Sequence, residues 1–196
     1  LYDKGHYKQS LKYLDKAKEI ALASEQHTMA LETAEFQKTI ESLHITRSMV
    51  NKTVAISREA DDLCRRIARV NELSNISITL YSLHLKLGYI RSEKDIEVID
   101  RHFKPILERY IQEKRSFSEE VYFCQAMVWY NYIRHDFLTS YKYALRWMKA
   151  VAKNPERKSV MYDNLLKGIS RLLEGLFLLG NYKRYTDTLQ KLREEQ

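Results

Sequence analysis

Glycine, proline and cysteine are all scarce in this chain of 196 residues, which contains five glycines, two prolines and two cysteines. Because glycine and proline interrupt helices most often, their scarcity predicts a nearly all-helical protein. Two cysteines, Cys64 and Cys124, are too few for a disulfide framework or a zinc set. Both fall within helical patterns, and we interpret them as buried small apolar residues.

Long hydrophobic runs are also missing. The most apolar stretch, LLEGLFLLG at 172–180, is short and carries Glu174, whereas a helix needs about 20 apolar residues to cross a bilayer. The sequence therefore predicts no membrane span. No signal peptide is evident, although one could have been cut off before Leu1, so the location is left unknown with the cytoplasm favoured.

Positive charge is present in moderate excess, with a formal net charge of +7 and a pI near 9.2. Such a charge permits an acidic partner or a nucleic acid as ligand. It does not require one, because charges of both signs are mixed along the helix faces rather than gathered in blocks.

Residues with the spacing of a catalytic or metal site are also missing, so we predict a non-enzymatic protein with no catalytic residues, metal or cofactor. No histidine pairs with another His or Cys at metal-ligand spacing. The adjacent acids Asp61–Asp62 and Glu119–Glu120 point in different directions on a helix and form no carboxylate dyad. Gly168 and Gly175 lie inside a helical pattern, where they let helices approach closely. The six histidines are His6, His27, His44, His84, His102 and His135.

What the sequence does contain is a series of helical patterns separated by short turns. Ser116 and Glu119 form a capping-box pair that opens one of them, and Pro105 predicts a kink or a break in another. The turns suggest one helix pair per roughly 40–47 residues, with a degenerate turn hidden in RSMVNKT at 47–53. The predicted helices span 7–24, 28–46, 52–70, 72–87, 93–113, 117–134, 137–153, 157–179 and 182–194.

The turns carry a family resemblance. Gly5-His6-Tyr7, followed by Ser10 and Ala17, resembles the second half of a tetratricopeptide repeat, with its turn glycine, aromatic residue and small residues. His135-Asp136-Phe137 and Gly180-Asn181-Tyr182 resemble further copies. The period is longer than the family's usual length of about 34 residues. The resemblance implies an all-α, right-handed solenoid of stacked antiparallel helix pairs.

The same resemblance implies that residues 1–196 form a single domain whose first repeat is cut, as in a fragment of a longer protein. Solenoids need capped ends, so we also expect that the chain could dimerise through its incomplete N-terminal end.

Tetratricopeptide-like stacks are binding scaffolds, so the resemblance also implies a function. We expect a protein or peptide partner in a concave groove, as in the sensor or regulatory part of a larger protein. A lysine and asparagine set that would grip a partner's C-terminal carboxylate is not found. Aligning the turns gives the candidate groove residues Gln37, Glu41, His44, Asn75, Thr79, Ser82, Tyr122, Gln125, Trp129, Tyr132, Lys167, Arg171 and Glu174.

Trp129 is the strongest candidate for an anchor, because tryptophan and tyrosine dominate interface hot spots. It lies in FCQAMVWYNYIRHDF with Tyr130 and Tyr132 beside it. A place in the core between helices is the competing interpretation for Trp129. We predict that Trp147 lies in the core.

A basic module that binds single-stranded nucleic acid is the alternative function. It rests on 14 tyrosines interleaved with lysine and arginine, most densely at 101–115 and 130–149, because aromatic rings can stack on bases. Against this alternative, Phe137, Tyr141, Ala144 and Met148 recur at the spacing of a packing stripe.

Overall fold

A computed structural model of the chain describes residues 1–44, 50–88, 92–154 and 162–194. These residues form α-helices with no strand, so the predicted all-α class is confirmed. Two compact units are present, Leu1–Asn71 and Glu72–Gln196; the single domain expected from the sequence stays a prediction. A short 3-10 turn, Tyr2–Lys4, precedes the helices α1 (Tyr7–Ala23), α2 (His27–His44), α3 (Val50–Leu87), α4 (Glu93–Gln112), α5 (Phe117–Ile133), α6 (Phe137–Ala152), α7 (Tyr162–Leu178) and α8 (Tyr182–Glu194).

One turn geometry recurs between consecutive helices. After α5, His135 has a positive φ of 64°, its N–H donates to the Tyr132 carbonyl, and the N–H of Asp136 donates to the Asn131 carbonyl. This is the Schellman arrangement that satisfies the last carbonyls of a helix. The same pair of bonds closes the turns at Gly5 and Gly180, so His135 does take the place of the turn glycine.

A further turn of this kind follows α1, where Glu25 has a positive φ of 52°. The N–H groups of Glu25 and Gln26 donate to the carbonyls of Leu22 and Ala21. The sequence separated helices 7–24 and 28–46, but it did not show that this turn shares the geometry of the others, because glutamate rarely adopts a positive φ.

In the second unit, α5 and α6 each begin directly after a residue whose side chain caps the helix. Ser116 Oγ accepts from the N–H of Glu119, while the Glu119 carboxylate accepts from the N–H of Ser116, so the predicted capping box is confirmed. At the start of α6, Asp136 Oδ1 accepts from the N–H of Thr139 at 3.0 Å. Each such bond satisfies one N–H that would otherwise lack an intrahelical partner.

Small residues let the helices of the first unit pack closely. Ala21 of α1 and Ala30 of α2 contact Leu63 in the first half of α3. One turn further along, Ala34 contacts Ile56 and Ala60. Alanine at such contacts shortens the distance between helix axes, which is typical of stacked helix pairs.

The second unit has a larger core, which α3, α4 and α5 build together. The stripe Ile99, Phe103, Leu107 and Tyr110 of α4 is buried against the second half of α3 and against α5. Next to it, α7 packs on α6 at two glycines. A Cβ on Gly168 would lie 3.3 Å from Trp147 Cδ2, and one on Gly175 would lie 3.2 Å from Tyr141 Cβ. The prediction that these glycines permit close approach is confirmed.

Two helix predictions need correction. The predicted helices 52–70 and 72–87 are one continuous helix, α3, because no breaker lies near residue 71 and the apolar residues on both sides of it are buried. Of the predicted turn at 47–53, residues 47–49 lie outside the described part, and residues 50–53 are helical.

The break predicted at Pro105 is also absent, since α4 runs through it. The buried stripe on both sides of Pro105 favours continuation despite the lost hydrogen bond.

Across the described ranges, no helix combines the length and the apolar composition that crossing a membrane requires.

Candidate functional site: an aromatic cleft in the second unit

A cleft of about 540 Å³ lies within the second unit. Its walls come from the second half of α3, from α5 and from α7, and α6 contributes the buried ring of Trp147. The lining residues are Ser77, Ile78, Tyr81, His84, Leu85, Gln125, Trp129, Trp147, Lys167, Ser170, Arg171 and Glu174. Its volume lies in the range of about 300–1,000 Å³ that is typical of ligand sites.

Trp129 is the centre of an aromatic cluster in this cleft. Its ring centroid lies 4.7 Å from that of Tyr81 and 5.3 Å from that of His84, on which it stacks. Tyr132 contacts Trp129 edge to face at 6.0 Å and His84 at 5.0 Å. Trp129 is half-buried and packs against the core at the same time. The ring therefore has a core side and a cleft side, and its role as an anchor stays a prediction.

The α7 wall supplies the charge of the cleft. The Arg171 guanidinium carbon lies 5.1 Å from the Trp129 ring centroid, a distance typical of a cation–π contact. Arg171 Nη1 also lies 2.5 Å from Glu174 Oε2, and Glu174 accepts a hydrogen bond from the Tyr132 hydroxyl. Lys167, two turns before Glu174, is exposed and has no carboxylate partner among the described residues.

Polar side chains line the cleft beside Trp129. Gln125, one turn earlier in α5, accepts from Ser77 Oγ at 3.4 Å and donates to Asn164 Oδ1 at 2.8 Å. Both ends of its amide are engaged, which fixes its orientation. The indole of Trp147 is 2% exposed. Its Nε1 has no hydrogen-bond acceptor within the described part of the chain.

The surroundings of His84 favour its neutral form. Burial is the largest cause that lowers its pKa below the usual value, and the positive charge of Arg171 adds to it. Glu174 and a backbone hydrogen bond with Gly88 act in the opposite direction, with smaller effect. A neutral imidazole stacks on Trp129 without adding charge to the cleft.

The apolar part of the wall is open to solvent. Ile78 is 63% exposed and Leu85 is 65% exposed, although both are large aliphatic residues. They lie seven residues apart on α3, about 10 Å along the helix, and Tyr81 lies between them. Exposed apolar residues gathered in a concave site, rather than scattered singly, indicate a binding surface.

Five of the thirteen candidate groove residues line the cleft together, namely Gln125, Trp129, Lys167, Arg171 and Glu174. Tyr132 borders the cleft through its contacts with Trp129 and Glu174, and Tyr122 packs against the core. Asn75 is exposed on α3 but does not line the cleft.

Three residues expected in the groove belong to the first unit. The side chain of His44 lies outside the described residues. Gln37 is fully buried, where it donates to Asp15 Oδ1 at 2.6 Å and accepts from Lys18 Nζ at 2.9 Å. Burial in this polar network keeps Gln37 away from any surface groove. Glu41 is also buried, with Lys52 Nζ 3.5 Å away.

The α3 wall is what the sequence interpretation missed. It named Asn75, Thr79 and Ser82, whereas Ser77, Tyr81 and His84 line the cleft. The cause is a register error of two residues, because these positions were assigned by aligning the turns and not from the course of α3 itself. The helical spacing of Ile78, Tyr81 and Leu85 was the signal that could have located this face.

No metal site emerges from the described residues, which contain no group of three or more His, Cys, Asp or Glu that could hold an ion. Cys124 is buried as predicted, and burial raises the pKa of its thiol far above the usual value. Cys64 is exposed, contrary to prediction, because it lies on the outer face of α3 beside Asp61 and Arg65.

Some of the aromatic and basic residues that suggested nucleic-acid binding are used within the fold. Tyr130 and Tyr132 are buried, so their rings are not available for stacking on bases. In the basic stretches, Arg109 pairs with Glu72 at 2.7 Å and Arg115 with Glu120 at 2.7 Å. Of the predicted packing stripe, Ala144 is buried, and Tyr141 and Met148 are partly buried against the same apolar cluster. Phe137 lies outside that cluster and contacts Tyr132 edge to face.

Comparison with protein-family models, with curated proteins and with solved structures finds no match. The function is therefore argued from the cleft itself.

Proposed function

We propose that the chain is a protein-interaction module whose aromatic cleft binds a peptide segment of a partner protein. The observation that carries this proposal is the grouping of exposed Ile78 and Leu85 beside half-buried Trp129 in one concave site. Apolar side chains in such a position lose water when a ligand covers them, and this loss supplies the binding free energy.

We further propose that the helices stack as antiparallel pairs in a tetratricopeptide-like solenoid. Consecutive helices α5, α6, α7 and α8 contact one another in order. The Schellman turn recurs at Gly5, Glu25, His135 and Gly180. A repeated local geometry with neighbour-to-neighbour packing is typical of repeat architectures.

The shape of the cleft favours a short extended segment as ligand. The exposed stretch from Ile78 to Leu85 is about 10 Å long, which matches about three residues of extended chain. The α7 wall offers Ser170 and Lys167 as polar groups. Apolar contact on one side and polar groups on the other let a peptide bury side chains while its backbone stays hydrogen-bonded.

The experiment is a selection of random linear peptides displayed on phage against the whole chain, followed by calorimetric titration of synthetic copies. Trp129→Ala should weaken binding by about 2 kcal/mol or more, as expected for a hot-spot residue. Tyr162→Ala is the matched control, because Tyr162 is an exposed aromatic residue of α7 that does not line the cleft.

Circular dichroism of each variant separates binding from folding. Unchanged helicity with lost binding in Trp129→Ala alone supports the cleft as the site. Selected peptides that bind Trp129→Ala and wild type equally would refute the proposal, as would a selection that yields no binder.

A further inference from the structure

A second groove of the second unit, of about 450 Å³, lies between the start of α5 and the last turns of α6. It shares no described lining residue with the aromatic cleft. The two stretches of sequence that are richest in basic and aromatic residues, 101–115 and 130–149, both contribute cations to it. Its charged lining residues in the described part of the chain are Arg115, Glu120, Arg146, Lys149 and Lys153.

The arginines of this basic groove already use its carboxylate. Glu120 Oε2 accepts from Arg115 Nε at 2.7 Å and from Arg146 Nη2 at 3.0 Å, and Glu120 Oε1 accepts from Arg146 Nε. The pair with Arg146 is bidentate, which is the strong geometry between a guanidinium and a carboxylate. Glu120 therefore orients both guanidinium groups and neutralises one of the four cations.

The lysines of the basic groove remain without an acidic partner among the described residues. Lys149 and Lys153 are exposed and lie one helical turn apart on α6, a spacing at which like charges repel. The partial positive charge at the start of α5 and the partial negative charge at the end of α6 are similar in size and offset each other. The described lining thus carries an excess of three positive charges.

We propose that the basic groove binds an extended acidic segment of a partner protein. Arg146, Lys149 and Lys153 lie on one face of α6 over about 10 Å, which matches about three residues of extended chain. Acids at alternate positions of such a chain point to the same side, about 7 Å apart. The Cβ atoms of Lys149 and Lys153 are separated by about 5–6 Å, so each lysine can meet one carboxylate.

A peptide fits this groove better than a single-stranded nucleic acid does. Nucleic acid binds through aromatic rings that stack on its bases as well as through cations that meet its phosphates. Among the described lining residues the one aromatic ring is Phe117, and it packs against the core cluster that contains Val121 and Trp147. An acidic peptide needs the cations alone.

The probe is a short fluorescein-labelled peptide with glutamate at every second position, titrated with the whole chain and followed by fluorescence anisotropy. It should bind at about 0.05 M salt and be released as the salt is raised to about 0.5 M, because screening weakens contacts between exposed charges. The same peptide with glutamine in place of glutamate should bind at least about threefold more weakly.

A pair of double variants assigns the binding to the groove. Lys149→Gln combined with Lys153→Gln should weaken the acidic peptide about threefold to tenfold, since each exposed ion pair contributes modestly. The control combines Lys183→Gln with Lys191→Gln, which removes two exposed lysines of α8 and changes the net charge equally. It should bind like the wild type, and circular dichroism should show equal helicity in all three proteins.

Equal losses in the two double variants would overturn the proposal, because binding would then follow net charge rather than the groove. No binding at low salt, or equal binding of the glutamine peptide, would overturn it as well. Tighter binding of a single-stranded oligothymidylate that is lost in the Lys149 and Lys153 double variant would assign the groove to nucleic acid instead. Trp129→Ala should leave the affinity unchanged, so this test does not depend on the aromatic cleft.

Discussion

The imidazole of His84 stacks on the indole of Trp129, with ring centroids 5.3 Å apart and an interplanar angle of 25°. Tyr81 and Tyr132 contact the same indole, and the guanidinium of Arg171 lies over it. These contacts hold the ring in one orientation before any ligand arrives. An anchor that is already ordered loses little side-chain entropy on binding, which raises affinity for a given contact area.

His84 makes the stability of the second unit depend on pH. Its pKa is lowered in the folded chain, by burial first and by Arg171 second, whereas the unfolded chain takes up this proton near pH 6.5. The unfolded state thus binds more protons in the window below about pH 6.5, and the free energy of unfolding falls as the pH is lowered through it. His84→Gln should show a shallower fall when urea unfolding is followed between about pH 7.5 and pH 5.

The control for this measurement is His102→Gln, which removes an exposed histidine of α4. Its unfolding free energy should follow the wild-type slope. Acidic groups such as Glu120 make the same contribution to the pH dependence of unfolding in the wild type, in His84→Gln and in His102→Gln. They therefore do not affect the difference between the slopes. A wild-type slope identical to that of His84→Gln would contradict the assignment.

The elements that the sequence predicted well are those fixed by neighbouring residues. The starts of α5 and α6 depend on Ser116 and Asp136, each within three residues of its partner. The burial of Gln37 was missed because it depends on Asp15 and Lys18, which belong to another helix. Local chemistry is visible in one sequence, whereas a polar network between helices is not.

The same difference between local signals and contacts between helices explains which residues of the candidate site were predicted. Trp129 and Gln125 were predicted because they lie on α5, whose register follows from the turn at His135 that ends it. His84 and Tyr81 were missed because nothing local sets the register of the second half of α3, which follows from a helix that begins at Val50. A register error of two residues moves every predicted side chain to another face of a helix.

Gly175 lies where α7 meets α6, and we expect that a larger residue there destabilises the fold. A Cβ at this position would lie 3.2 Å from Tyr141 Cβ and 3.5 Å from Tyr141 Cα. Those atoms are part of the α6 backbone or bonded to it, so no rotamer change can relieve the contact. Gly175→Val should therefore lower the free energy of unfolding by about 1–3 kcal/mol in urea titration.

Ser170→Val is the comparison for Gly175→Val, because it also introduces a β-branched residue into α7, at an exposed position. Its cost should stay within about 0.5 kcal/mol, typical of surface substitutions. Equal losses in the two variants would mean that helix propensity, and not the contact with Tyr141, sets the cost.

Ser116 and Ser92 offer a paired test of capping, because both are N-cap residues with extended backbone but only Ser116 makes a side-chain cap. Ser116→Ala removes the acceptor for the Glu119 N–H and should lower the free energy of unfolding by about 1 kcal/mol. Ser92→Ala removes no such bond, so it should lower the free energy of unfolding by clearly less than Ser116→Ala does.

Peptide binding gives the Ser116 experiment a second readout. Gln125 and Trp129 lie two and three turns beyond the cap, and fraying is confined to the first turn of a helix. Ser116→Ala should therefore reduce stability while leaving the affinity for selected peptides nearly unchanged. A loss of affinity as large as the loss of stability would show instead that the start of α5 controls the cleft. The anchor would then be the whole helix rather than Trp129.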